Sequence, residues 1–166
     1  MMRKAKSFFG PIVLLLFTLF LCAVNLSCAA EPSSAVDTTA CEQALFDTVN
    51  EYRQSNGKEP LSRNAYIDGL CRQHAQYMAS QGALSFDNSK SRSSSIYANV
   101  PGMSTSAENV MRSSHSPCDA EHMSPTWFAS APHRTRILDA AYTISGMGIV
   151  IDKKGSVWVC QIFAGP

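Results

Sequence analysis

The stretch Trp127-Phe128-Ala129-Ser130-Ala131-Pro132-His133-Arg134, roughly twenty residues after Ala107-Glu108-Asn109-Val110, carries the reading of this chain. Ser130 suits a helix N-cap and Pro132 the opening turn, so His133 stands at a helix start with Ile137 and Leu138 turned inward behind it. An acid, an aromatic and an imidazole (Glu108, Trp127 and His133) then recur at set offsets around one helix end. Together with Asn109 and Ser130 they can build the wall of a polar cleft.

Working outward, the C-terminal side reads as β. Gly148 to Ile151 and Ser156 to Phe163 are β-branched and aromatic runs joined by Asp152-Lys153-Lys154-Gly155, a hairpin signal. The N-terminal side reads as helical. Thr39 and Glu42 form a capping box, and Leu45, Phe46, Val49 and Tyr52 recur at helical spacing, predicting a helix over 40–54 that stops at Asn56-Gly57. A second helix is predicted over 64–80, with Ile67, Leu70, Cys71, Ala75 and Met78 on one face and Gly82 as its stop. Residues 85–106 read as a long surface loop, and Glu108 to Arg112 as a short helix. Another helix starts near Cys118 and is restarted or kinked at Ser124-Pro125. Helices first and a hairpin last give an α+β domain with helices packed on an antiparallel sheet.

Residues 1–30 read as a signal peptide: Arg3, Lys4 and Lys6 precede an apolar run from Phe8 to Val24, then the small residues Ser27, Cys28, Ala29 and Ala30. The expected location is secreted. An uncleaved amino terminus anchored at the cell envelope is the alternative, and cleavage leaves no membrane span in the mature form. Residues 31–39 form a flexible polar lead-in to a single domain over 40–166. Beyond residue 30, thirteen acidic residues stand against eleven basic ones, which excludes a nucleic-acid footprint or a polybasic membrane patch. Four cysteines remain, Cys41, Cys71, Cys118 and Cys160. Outside the cytoplasm they read as two disulfides of open connectivity; a zinc site is the alternative, without any C-x-x-C pair to support it.

Several segments together resemble the CAP superfamily of cysteine-rich secretory, antigen 5 and pathogenesis-related proteins, in its short bacterial secreted form. They are Val49-Asn50-Glu51-Tyr52-Arg53 with Gly57 and Pro60-Leu61, then His74-Ala75-Gln76-Tyr77-Met78-Ala79. Ala107-Glu108-Asn109-Val110, Trp127-x-x-Ser130-x-x-His133-Arg134, Gly146-Met147-Gly148 and Gln161-Ile162-Phe163-Ala164 complete the series. The resemblance implies an α-β-α sandwich, with a small antiparallel sheet between helical layers. It also implies a large shallow cleft where two histidines and two acids can hold a divalent cation.

Carried over residue by residue, Glu108 matches the acid of the Glu-Asn motif and His133 the imidazole after the tryptophan. Phe86 stands where the first cleft histidine belongs, followed by Asp87, and Ser130 replaces the second acid. Glu108 and His133 therefore make an incomplete zinc site, and Asp87 in place of an imidazole softens the selectivity. The cleft-lining set is Glu108, Asn109, Ser130, His133 and Asp87.

Plainer roles stand beside these. Trp127 suits core packing, and Ser130 suits capping better than nucleophilic attack. His74 on an apolar stripe reads as a satisfied histidine, while His115 and His122 flank Cys118. The expectation is a non-enzymatic extracellular binding module for a lipid, a cell-wall component or a protein. The alternative is a metal-assisted hydrolase or peptidase using Glu108 and His133, although no H-E-x-x-H or nucleophile elbow supports it.

Overall fold

The computed structural model describes residues 38–114 and 118–166. The segments expected to form a signal peptide and most of the lead-in, with His115 and Ser116-Pro117, lie outside them. Among the described residues five helices and four strands follow in order: α1 Thr39–Ser55, β1 Ser62–Arg63, α2 Ala65–Gln81, α3 Ser89–Asn99, β2 Thr105–Ser113, α4 Ala120–Ala129, α5 Ala131–Ile137, β3 Ile144–Ile151 and β4 Val157–Gly165. The sheet order is β1-β3-β4-β2. The sheet is mixed, not purely antiparallel, because β1 runs parallel to β3 while β3 and β2 flank β4 antiparallel.

Strand alternation builds the sandwich. From β4, Val157, Val159 and Phe163 join the core under α1, α4 and α5, while Trp158, Cys160, Ile162 and Ala164 join the core under α2 and α3. All of β4 is buried, as expected of a central strand covered on both faces. Gly146 and Gly148 let α2 lie almost on β3: a Cβ at Gly148 would collide with the backbone of Cys71 and Arg72, and one at Gly146 with that of Ile67 and Asp68.

Since β1 covers only Ile144 and Ser145, the outer edge of β3 needs other acceptors. Carboxylates from two helices supply them. Asp68 accepts from the Met147 N–H at 2.8 Å and Glu42 from the Ile149 N–H at 3.1 Å. Glu42 is fully buried and held by Arg63 and Arg72. This corrects the capping box: the N-cap of α1 is Thr38, with no side-chain capping bond, and Glu42 is drawn inward to the strand.

Asn64 caps α2 by accepting from the Ile67 N–H, and Gly82 ends it in the left-handed region. Three other expectations are corrected. Within 85–106 lies α3, held by buried Ile96 and, just beyond it, Val100, and by an ion pair described below. Glu108 to Arg112 belong to β2, because pairing with β4 over its whole length outweighs local helix propensity. Helix α4, capped by Asp119 whose side chain accepts from the Glu121 N–H, starts close to Cys118 as expected but runs through Pro125 instead of restarting there.

Among the described residues one disulfide, Cys41–Cys118, joins α1 to the residue before the α4 cap. Cys71 and Cys160, the other two expected disulfide partners, are buried free thiols in this structure.

Candidate functional site

β2 is an edge strand, and beside it runs a groove of 590 Å³, within the size range of small-ligand sites. Helix α3 contributes Ser89, Lys90, Ser93, Ser94 and Tyr97; β2 contributes Ser106, Ala107 and Glu108; Phe86 and Arg136 complete the lining. Phe86 is 49% exposed and Tyr97 39%. Tyr97 Oη lies 2.9 Å from Ser106 Oγ, which donates at 2.8 Å to Ser93 Oγ, so a chain of three hydroxyls links α3 to β2.

Beneath the groove, Glu108 is only 7% exposed. Its two oxygens accept from Arg92 Nε and Nη2, each at 2.8 Å, while Arg92 Nη1 donates to the Asp87 carbonyl at 2.8 Å. This two-pronged pair joins α3 to β2, a geometry particular to a planar guanidinium. Asp87 meets the cluster through its backbone; its carboxylate accepts from Tyr77 Oη at 2.9 Å.

Asn109 points through the opposite face of the strand. It is fully buried, donates to the His133 carbonyl at 3.2 Å and accepts from Arg136. Ser130 is the N-cap residue of α5, as expected, though its side chain makes no capping bond. His133 rests against Trp127, with ring centroids 6.3 Å apart, and its Nδ1 is buried with no hydrogen-bond partner among the described residues. The structure thus joins Asn109 to His133 through the backbone and Glu108 to Asp87 through Arg92.

Zinc, which the resemblance implies, does not fit this arrangement. Both oxygens of Glu108 are already bound to a guanidinium, and Phe86 has no donor atom. Among the described residues no group of three or more His, Cys, Asp or Glu side chains could hold a metal ion. The sequence reading missed Arg92 altogether. Its one signal was a lone arginine in a serine-rich stretch, which reads as solvent-facing.

His74 is buried, as its place on the apolar stripe implied, and its Nε2 lies 2.7 Å from the Ser85 carbonyl. Burial lowers its pKa from the ordinary 6.5, with Arg92 nearby adding to the effect. Burial likewise lowers that of His133, helped by Arg136. A histidine depressed in the folded state contributes stability fully above its unfolded pKa and loses it as pH falls through the folded value. The melting temperature should therefore drop as pH is lowered from about 7 to about 5. His74→Gln should show a shallower drop in the same melts; an unchanged slope would remove His74 as a contributor.

A two-layered helix cover over a small mixed sheet, with an acid on the edge strand and a histidine after the tryptophan helix, defines the class. The sequence profile of the cysteine-rich secretory protein (CAP) family matches residues 46–162, and the chain belongs to that family. No curated protein matches the sequence. Among solved structures, an outer surface protein of Borrelia burgdorferi superposes with a TM-score of 0.69 at 11% identity, covering 79% of this chain and 96% of that one. A cysteine-rich secretory protein of Staphylococcus aureus gives 0.59 at 21% identity, over 76% of this chain and 38% of that one. An extracellular protein of Bacillus anthracis containing an SCP domain gives 0.60 at 20%, over 76% and 41%. These likenesses establish the fold. Among the described residues no helix is long and apolar enough to cross a membrane.

Proposed function

We propose that the domain is a secreted, non-enzymatic binding module whose groove along β2 takes a carbohydrate-like component of the cell wall. The observation that carries this is the Arg92–Glu108 pair. A carboxylate bonded through both oxygens to a guanidinium is poorly placed to take a proton or hold a metal, as the hydrolase alternative requires. The groove above it stays open, and its chemistry supports the ligand class: a hydroxyl chain for polar contacts and the exposed rings of Phe86 and Tyr97 for the apolar face of a sugar. Lys90 and Arg136 add positive charge, which favours a saccharide bearing carboxylates. Export is supported by the leader-like amino terminus and by the outer-surface and extracellular descriptions of the similar proteins.

Co-sedimentation with purified cell wall tests the reading. Wild type should pellet with the wall, and Tyr97→Ala combined with Lys90→Ala should bind at least about tenfold more weakly with an unchanged circular dichroism spectrum. Equal binding by the double variant, or binding to anionic lipid vesicles alone, would refute it.

A further inference from the structure

We infer that Cys71 and Cys160 are a second oxidation site, closing as a disulfide that ties α2 to β4 when the chain folds in the presence of a disulfide oxidant. The geometry comes from the sheet. Cys160 faces Gly148 in the register of β3 and β4. Gly148 is also where the backbone of α2 at Cys71 and Arg72 presses closest on the sheet. The bare glycine therefore seats Cys71 directly over β3, with Cys160 on the next strand beside it. Both side chains belong to the same buried core, and neither is exposed. With Cys41 and Cys118 joined, these are the two free cysteines among the described residues.

The oxidant is a low-molecular-weight disulfide such as oxidised glutathione. One cysteine thiolate attacks a glutathione sulfur and expels the first glutathione thiolate. The second cysteine thiolate then attacks the mixed disulfide and expels the other. Two protons and two electrons leave the cysteine pair, and the oxidant becomes two thiols. Each step needs a thiolate and access to it. The folded domain withholds both: burial, and then the neighbouring thiol, raise the Cys71 pKa well above the ordinary thiol range. Oxidation therefore belongs to the interval before α2 docks. Afterwards the same packing shields whichever form was made, thiol or disulfide.

The test is to unfold and reduce the full chain, then refold it in a glutathione redox buffer. The product is denatured, alkylated and mapped by peptide mass. A Cys71–Cys160 cross-linked peptide with neither residue alkylated is expected. The oxidised form should also melt roughly 10 °C above the Cys71→Ala/Cys160→Ala variant refolded in parallel. Full alkylation of both cysteines after oxidative refolding would overturn the inference. So would cross-links that scramble either of them with Cys41 or Cys118. Because the mapping reads covalent structure directly, a variant that fails to fold leaves the first outcome decisive.

Discussion

Arg53→Met is expected to destabilise the domain by about 4 kcal/mol, in urea or thermal unfolding, while leaving the side-chain volume nearly unchanged. Arg53 is 1% exposed and lies near the end of α1. Its guanidinium donates to the Glu59, Ile137, Asp139 and Tyr142 carbonyls, with the shortest bond, 2.6 Å, to Ile137. Two of these acceptors belong to the end of α5 and its exit, where the last helical carbonyls have no intrahelical partner. One side chain thus gathers the turn after α1, the end of α5 and the approach to β3. Methionine fills the space and leaves the carbonyls without donors in a place water reaches poorly. Lysine in the same position keeps a charge but lacks the planar fork, so it should recover only part of the loss. A loss below about 1 kcal/mol in the methionine variant would mean that packing, not hydrogen bonding, is what Arg53 contributes.

The second large effect is expected at the groove floor. Arg92→Met leaves the Glu108 carboxylate buried beneath α3 without its counter-charge, at a cost of about 3–5 kcal/mol. The informative experiment is a double-mutant cycle with Glu108→Gln. Removing both charges should recover much of that loss, because the larger part of it comes from a stranded charge, not from a lost attraction. Additive losses would show that the two residues act separately and that α3 is seated by Ile96 and Val100 alone. The cycle also bears on function, since a weak coupling would leave Glu108 available for the acid–base chemistry that the binding-module reading denies it.

Much of the fold was legible in the sequence where local signals and burial agree. Helix α2 begins at Asn64 and stops at Gly82 as its residues require, α5 opens at Ser130 and Pro132, and the hairpin of β3 and β4 turns at Asp152. Legibility failed where the deciding interaction is distant. Helix α3 has one buried apolar residue, Ile96, and shows little hydrophobic periodicity; its other anchor is an acid on another strand. β2 lacks clean alternation because Glu108 through Met111 are all buried. Glu42 has the local pattern of a capping residue, yet its partners are two arginines and the N–H of a strand more than a hundred residues away. At the site, Glu108 was found and its partner Arg92 was not. The sequence shows residue types and offsets, whereas an ion pair across α3 and β2 exists only after the sheet has formed.

The carboxylates of Asp68 and Glu42 along β3 also bear on how copies of this domain meet. An exposed strand edge offers alternating donors and acceptors, the template on which chains stack into aggregates. Here two of those donors point into carboxylates buried by helices α1 and α2. A passing strand finds no free N–H at either place, and finds acidic groups that its own carbonyls would repel. The sheet therefore ends at that side as a finite object. Copies of this domain are thereby kept from joining one another through that edge.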